Sequence, residues 1–277
     1  MRKTKLLIAL ALFPSLLSAQ ELVTVKGRVV NQLGEGIGYV QLGVPKLQIG
    51  TISDGDGRFE IEVPCDTLQF FHVSYQQASF PVTGPAEDVA IVLHEQELPP
   101  AVFIGGNTKE KYLMRPGTGI FKNYGVICTT VEGGRPNGLE IGSVAKAVKP
   151  FLVQDIRFTV RSNHIPGCVA SINIYRIEGK QESFVNVLHK PIYFDVPILN
   201  EPQDMEIQPE ETLLLEPGRY FIAFQIVGCD ENCPQTGEMT MEFNVFLKNS
   251  YLREAALGKM EHFPVNIGIA VKGLEYQ

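Results

Sequence analysis

The sequence predicts an all-β protein built from two successive β-sandwiches. Short apolar runs alternate with polar residues at a period of two, which is typical of strands that place one face on a core. Turn-forming residues separate these runs, with 26 Gly and 18 Pro among 277 residues, and no run of helical period extends beyond a turn or two. The length and the hydrophobic content of 44% are sufficient for two domains that each bury a core.

Residues 1–19 have the organisation of a signal peptide. Arg2, Lys3 and Lys5 precede an apolar run at residues 6–13, and the small residues Ser18 and Ala19 follow. That run is shorter than the ~20 residues that a membrane-spanning helix needs. We therefore expect an exported protein, periplasmic or outer-membrane-associated at the cell surface, with no transmembrane segment in the mature chain.

The first predicted sandwich occupies residues 22–95. Phe59, Ile61 and Val63 share one face of a predicted strand, whereas Arg58 and Glu60 share the other, so one face is expected in the core and one in water. Similar runs indicate strands at residues 23–30, 39–44, 49–53, 58–63, 68–73 and 88–93, with turns at residues 31–36, 54–57 and 81–85.

The turn Asp54-Gly55-Asp56-Gly57 permits two interpretations. Asp54 and Asp56 supply carboxylates of the kind that calcium binds, but the Glu that completes an EF-hand loop is missing. Gly55 and Gly57 provide the positive φ that a tight hairpin requires, and Asp is an ordinary turn residue. The sequence therefore favours a charged β-turn and no metal site.

Two segments of this region carry a family pattern: Gly27-Arg28-Val29-Val30-Asn31 and the run from Gly50 to Ile61, GTISDGDGRFEI, with Val73-Ser74-Tyr75 further on. They resemble the carboxypeptidase-regulatory-like, transthyretin-like domain of bacterial envelope proteins. The resemblance implies a seven-stranded β-sandwich that serves as an accessory module and not as a catalyst.

Residues 96–110 form the predicted linker. The segment EQELPPAVFIGG at residues 95–106 is similar to the segment that follows this module in TonB-dependent outer-membrane receptors. Only 171 residues follow Gly106, whereas each strand of such a barrel needs ~9–11 residues and the barrels have around twenty strands. We therefore expect a plain interdomain linker.

The second predicted sandwich occupies residues 111–277 and is expected to be jelly-roll-like. Its segments 149–160, 169–177 and 215–224 resemble those of discoidin-type and galactose-binding-type sandwiches, a similarity of architecture. Alternating or apolar runs predict strands at residues 125–131, 139–148, 151–160, 169–177, 184–188, 205–207, 219–227, 239–247 and 265–271.

Five cysteines, Cys65, Cys128, Cys168, Cys229 and Cys233, are available for disulfide bonds in an exported chain. Cys229 and Cys233 flank a short polar loop, so a local disulfide is predicted between them. A zinc site there would need four nitrogen or sulfur ligands, which the neighbouring residues do not supply. Cys128 and Cys168 can also pair across strands, and the odd number leaves at least one cysteine unpaired or bonded to another chain.

No catalytic pattern is visible, and we predict that the protein is not an enzyme and has no catalytic, cofactor-binding or metal-binding residues. The sequence contains no G-x-S-x-G elbow, no H-E-x-x-H helix and no phosphate-binding loop. The histidines, His72, His94, His164, His189 and His262, are scattered without ligand spacing.

The net charge of −7 argues against nucleic acid as a partner, and it leaves two hypotheses open. The first is a structural or protein-interaction module of the cell envelope, with an unknown envelope protein as partner. The alternative is a carbohydrate-binding accessory protein in glycan capture. The chain has no Trp to stack on a sugar ring, so Tyr193, Tyr251 and Tyr276 would have to serve.

One further polar group is predicted on a strand of the second sandwich. Asp155, Arg157 and Arg161 recur along one predicted strand. We expect them to form a solvated patch that contributes little to stability.

Overall fold

The computed structural model describes residues 21–97, 105–115, 122–132, 135–244 and 250–277. Within these ranges the regular structure is strand, apart from a single 3₁₀ helix at Pro45–Leu47, and the predicted all-β class is confirmed. The predicted export signal at residues 1–19 and residues 98–104 of the predicted linker lie outside the described residues. None of the described segments forms a helix with the length and apolar character needed to cross a membrane.

The first sandwich contains seven strands in two sheets, the number that the family resemblance implies and one more than the six strand runs read from the sequence. One sheet has the order β4-β1-β7 and the other the order β3-β2-β5-β6. β1 pairs antiparallel with β4 and parallel with β7. The strands are β1 (Leu22–Val30), β2 (Gln41–Val44), β3 (Ile49–Ile52), β4 (Arg58–Pro64), β5 (Thr67–Phe71), β6 (Ala78–Pro81) and β7 (Ala86–Val92).

The second sandwich consists of a nine-stranded and a seven-stranded sheet. Its strands are β8 (Thr108–Met114), β9 (Lys122–Glu132), β10 (Arg135–Pro136), β11 (Glu140–Ala147), β12 (Phe151–Asn163), β13 (Val169–Glu178), β14 (Ser183–Asn186), β15 (Ile192–Asp195), β16 (Gln203–Ile207), β17 (Leu213–Leu215), β18 (Gly218–Gly228), β19 (Thr236–Asn244), β20 (Ser250–Arg253), β21 (Glu261–Phe263), β22 (Asn266–Ile267) and β23 (Ala270–Tyr276). The larger sheet follows the path β10-β9-β19-β12-β23-β8, and the smaller one follows β14-β13-β18-β11-β20-β21.

Each sandwich has its own apolar core. In the first, the predicted inward face of β4 is buried, and Phe59 meets Phe70 of β5 edge to face with ring centroids 5.5 Å apart. In the second, Phe158 of β12 packs edge to face on Phe224 of β18, with centroids 5.6 Å apart. The alternation read from the sequence therefore corresponds to inward and outward faces of packed sheets.

β2 departs from the expected half-buried pattern. All four of its residues are buried, including Gln41 and Gly43, which alternate with the core residues Leu42 and Val44. The outer face of its sheet does not meet water, because the seven-stranded sheet of the second sandwich packs against it. The expectation that one face of β2 is solvated is therefore wrong.

Candidate functional site

The contact between the two sandwiches contains the main buried polar constellation of the described residues. We call it the seam: the outer face of the β3-β2-β5-β6 sheet meets the outer face of the seven-stranded sheet. Ile52, Val227 and Ala256 form an apolar cluster inside it. Thr51 donates a hydrogen bond from its hydroxyl to the carbonyl of Pro136 at 3.2 Å. The seam is therefore packed as well as hydrogen-bonded.

Glycine allows the two backbones to approach closely in the seam. A Cβ built on Gly50 of β3 would lie 2.1 Å from the carbonyl oxygen of Ala256. Ala256 is fully buried, and its backbone N–H donates to the carbonyl of Asn137 at 2.8 Å. The backbone that Gly50 contacts is thus itself fixed, so any side chain at Gly50 would push the sandwiches apart.

Six polar side chains, which we call the Glu140 network, join strands from both sandwiches. The carboxylate of Glu140 accepts hydrogen bonds from Asn173 Nδ2 at 2.7 Å and from the Tyr175 hydroxyl at 3.0 Å, and it forms an ion pair with Arg253. Every member is less than a tenth exposed. The network consists of Gln41, Glu140, Asn173, Tyr175, Gln225 and Arg253.

Gln41 brings the first sandwich into this network. Its Nε2 donates to Gln225 Oε1 at 3.2 Å, and its Oε1 accepts from Arg253 Nη2 at 3.5 Å. Gln225 in turn donates to the carbonyl of Gly138 at 2.9 Å. Buried polar groups that are paired in this way specify one arrangement of the surfaces that carry them, because any shift leaves them unsatisfied.

The charges of the network are engaged with each other. Burial alone would lower the pKa of the Arg253 guanidinium, but Glu140 and Tyr175 raise the pKa above its usual value. Burial, chiefly, raises the pKa of the Tyr175 hydroxyl, which therefore stays protonated as a donor. Both oxygens of Glu140 have partners within the network.

A small cavity lies in the seam beside the network. It is lined by residues of both sandwiches, among them Tyr39, His72, Ser171 and Tyr193, and has a volume of about 20 Å³. A cavity of that size holds about one water molecule, whereas pockets for organic ligands have volumes of ≈ 300–1,000 Å³. The cavity is too small to admit a sugar ring.

His72 lies on the wall of this cavity. Its Nδ1 accepts from the backbone N–H of Ser74 at 3.2 Å, so the proton of the neutral ring lies on Nε2, which faces the Tyr193 hydroxyl at 3.3 Å. Burial lowers the pKa of His72 to about 4. At neutral pH the imidazole is uncharged and links the first sandwich to β15 of the second.

The tyrosines considered as sugar platforms are mostly covered. Tyr193 lies in the seam and packs edge-on against Tyr39, with ring centroids 5.0 Å apart. Tyr251 is 2% exposed and has Phe184 and His262 against its ring at 4.9 and 4.5 Å. Tyr276 is half-buried on β23. Two of the three rings therefore do not present a free face.

The Asp54–Gly57 segment has the hydrogen bonds of a turn. Asp54 Oδ1 accepts from the backbone N–H groups of Asp56 at 2.9 Å and Arg58 at 2.7 Å, and Gly57 has φ +81°. The Asp56 carboxylate pairs with Arg58 at 2.7 Å on the surface. This geometry is what the turn interpretation expects of the two aspartates.

The predicted polar patch on β12 is only partly solvated. Arg157 and Arg161 are not buried, and Arg157 pairs with Asp155 at 2.8 Å and with Glu206 at 3.1 Å. Asp155 itself is 7% exposed, so the expectation of solvation is wrong for this residue. Arg157 contacts its carboxylate, and the register of β12 against β23 shifts between Val153 and Asp155.

The structure brings together Cys229 and Cys233 but not the five histidines as a group. The Cys229 and Cys233 thiols are in side-chain hydrogen-bond contact, and their disulfide stays a prediction. The side chain of Cys128 lies outside the described residues. Among the part of the chain that is described, no three His, Cys, Asp or Glu side chains are arranged as metal ligands.

Reasoning from the sequence did not find the Glu140 network. A signal was present, since Asn173 and Gln225 interrupt otherwise apolar strand runs, and a polar residue in such a run needs a buried partner. The partners lie on different strands, however, and Arg253 directly precedes a turn-like segment with no distinctive pattern. Their meeting is visible only in the folded chain.

Comparison with known proteins yields no family assignment. No protein-family model matches the chain, and no curated protein matches it. Among solved structures, the protease and lectin-like domains of a surface-layer-associated protein of Clostridium difficile share 11% identity at a TM-score of 0.37. That match covers 58% of this chain and 37% of the other, and a second structure of that clostridial protease is covered to 52%.

Two DUF3823 family proteins are also similar at a low level. The one from Parabacteroides merdae has 8% identity and a TM-score of 0.22, with 89% of this chain and 98% of the other covered. The one from Bacteroides ovatus has the same identity and TM-score, with 74% and 97% covered. At identities of 8–11% and TM-scores under 0.4, these similarities establish neither a family nor a function for the chain.

Proposed function

We propose that this chain is an exported, non-catalytic protein of the bacterial cell envelope that serves as a structural or protein-interaction module. The seam is the observation that supports this function best. Three of the described groups are the most suited to chemistry: the Glu140 carboxylate, the Arg253 guanidinium and the neutral His72. All three are buried where the two sandwiches meet. There they hold two domains in one orientation, which is a property of a rigid spacer or docking platform.

We further propose that the first sandwich is a carboxypeptidase-regulatory-like module. The residues that carry this resemblance have roles in the fold: Asp54 caps the turn, Gly57 adopts positive φ, and Phe59 lies in the core. Ser53 Oγ accepts from the backbone N–H of Val40 at 2.9 Å. The residues of the family pattern thus form a hairpin and part of the core, which supports an accessory module.

Export is tested by expressing the full chain in a Gram-negative host and separating periplasm from cytoplasm. We expect a periplasmic protein whose N-terminal sequence begins at Gln20. A matched variant with Leu7→Asp and Leu10→Asp should remain unprocessed in the cytoplasm, because charge in the apolar segment blocks its recognition. An intact N-terminus in the wild-type protein would contradict the export proposal.

The alternative function, glycan capture, is tested by affinity electrophoresis of the purified protein through gels that contain soluble polysaccharides. We expect unchanged mobility, since Tyr193 and Tyr251 are covered and the seam cavity holds about one water molecule. Retardation by any polysaccharide that is lost in a Tyr276→Ala variant would favour the carbohydrate-binding function instead.

A further inference from the structure

Three cysteines meet at one corner of the second sandwich. Cys168 immediately precedes β13, and Cys229 immediately follows β18, the strand with which β13 pairs. Val169 lies opposite Gly228 in this ladder. The two cysteines are therefore the residues that directly follow this pair at the end of the ladder. Side chains that face each other on paired strands have Cβ atoms ≈ 4.5–5.5 Å apart.

Backbone contacts hold the third cysteine, Cys233, at the same corner. Asp230 N–H donates to the carbonyl of Pro166 at 2.9 Å, which ties the loop after β18 to the loop before β13. Cys233 N–H donates to the carbonyl of Asp230 at 2.9 Å and so closes a tight turn. That turn brings the Cys233 thiol into hydrogen-bond contact with the Cys229 thiol.

The three thiols differ in exposure. Cys168 is 2% exposed and belongs to the core of the second sandwich. Cys229 and Cys233 are half-buried and pack against that same core from outside. An oxidant in solution can reach the outer pair, whereas Cys168 can react only with a sulfur already at the corner.

We propose that Cys229 is the shared partner of two mutually exclusive disulfide bonds, a local bond with Cys233 and a cross-strand bond with Cys168. The local bond forms first: each thiol gives up one proton and one electron, and oxidised glutathione is reduced to two thiols. The Cys168 thiolate then attacks Cys229 Sγ, so the Cys168–Cys229 bond forms as the Cys229–Cys233 bond breaks. Cys233 leaves as a thiolate and takes up a proton, and the exchange needs no further oxidant.

The exchange should be slower at neutral pH than at alkaline pH. Burial raises the pKa of the Cys168 thiol to about 12, so little of the attacking thiolate is present at pH 7. Between pH 7 and pH 9 the thiolate fraction rises about a hundredfold, and the exchange rate should rise with it. Burial likewise raises the pKa of the Cys229 thiol, so we expect both bonds to form faster at pH 9 than at pH 7.

Peptide mapping distinguishes the two bonds. The reduced full-length protein is oxidised with oxidised glutathione at pH 7 or pH 9, alkylated, and digested with trypsin and then with a Glu-specific protease. Trypsin releases Cys168 on peptide 162–176, and cleavage after Glu231 separates Cys229 from Cys233. The local bond keeps the two fragments around Glu231 joined, and the cross-strand bond attaches peptide 162–176 to the Cys229 fragment.

Three variants and a control test which pairs of cysteines form a bond. Cys233→Ser should form only the cross-strand bond, Cys168→Ser only the local bond, and Cys229→Ser neither. Cys65→Ser, at an exposed position of the first sandwich, should behave as the wild type. If Cys168→Ser does not fold, as judged by its circular dichroism and melting, Cys168→Ala or Cys168→Val takes its place.

The proposal is overturned if a natively folded Cys233→Ser protein forms no Cys168–Cys229 bond at either pH. A bond between Cys168 and Cys233 in Cys229→Ser, or bonds of these residues to Cys128 in place of each other, would overturn it equally. Because the oxidation is carried out on purified protein, these results do not depend on where the cell places the chain.

Discussion

Arg253 and Glu140 form an ion pair in the interior between the two sandwiches, with the guanidinium on β20 and a fully buried carboxylate on β11. The Tyr175 hydroxyl bridges them, since it donates to Glu140 at 3.0 Å and accepts from Arg253 at 2.9 Å. A buried pair of this kind contributes little net stability compared with apolar residues. Loss of either partner, however, leaves the other charge unpaired in a medium of low dielectric constant.

Arg253→Met or Glu140→Leu alone should lower the free energy of unfolding by about 3–5 kcal/mol, because each leaves one unpaired buried charge. The double variant should lose much less than the sum of the two. Denaturant unfolding of the four proteins in a double-mutant cycle measures the coupling. As a control, Lys26→Met breaks the exposed pair with Glu60 and should change stability little. Additive effects of the two single variants would contradict this account.

Gly50→Ala should destabilise the protein by about 1–3 kcal/mol, the range for overpacking a dense interior. The added Cβ would lie 2.1 Å from the Ala256 carbonyl, and a backbone atom cannot move aside as a flexible side chain can. Gly84→Ala is the matched control, because no atom lies within 4 Å of a Cβ there. Thermal unfolding of both variants measures the difference, and equal melting temperatures would show that the seam tolerates separation.

Stability should fall between pH 6.5 and pH 4 through His72. The folded-state pKa is about 4 and the ordinary value is 6.5, so in this range the unfolded chain binds a proton that the folded chain does not. The contribution is complete above pH 6.5, declines by about 1.4 kcal/mol per pH unit, and reaches a loss of about 3 kcal/mol near pH 4.

The His72 effect is measured as the difference between the wild type and His72→Gln in urea unfolding at several pH values. The variant lacks the titrating ring but keeps a polar side chain in the seam, and its stability should depend less on pH over the same range. Parallel curves for the two proteins would mean that His72 does not titrate as its burial indicates.

Asp54→Ala should cost about 1–2 kcal/mol, since two backbone N–H groups lose a charged acceptor. Asp56→Ala removes an exposed ion pair from the same turn and should have little effect.

Thermal melts with and without calcium distinguish the turn from a metal site. A rise in melting temperature with calcium that Asp54→Ala abolishes would favour the metal interpretation.

The sequence by itself determined six of the seven strands of the first sandwich and the two faces of β4. The alternation of Phe59, Ile61 and Val63 with polar residues, and the turn at Asp54–Gly57, depend on residues a few positions apart, and such patterns are expressed locally in a pleated strand. The short strands β6, β17 and β20 were not predicted.

Only the tertiary structure decided what the outer faces contact. Gln41 bonds to Gln225 across 184 residues and to Arg253 across 212, and no local pattern in the sequence records which distant residue will meet which. Likewise, no local pattern indicates that position 50 requires glycine. It does so because a Cβ there would collide with the backbone of Ala256 in the other sandwich. The physical reason is that alternation reports the inward side of one strand, whereas the seam depends on how two completed sandwiches pack.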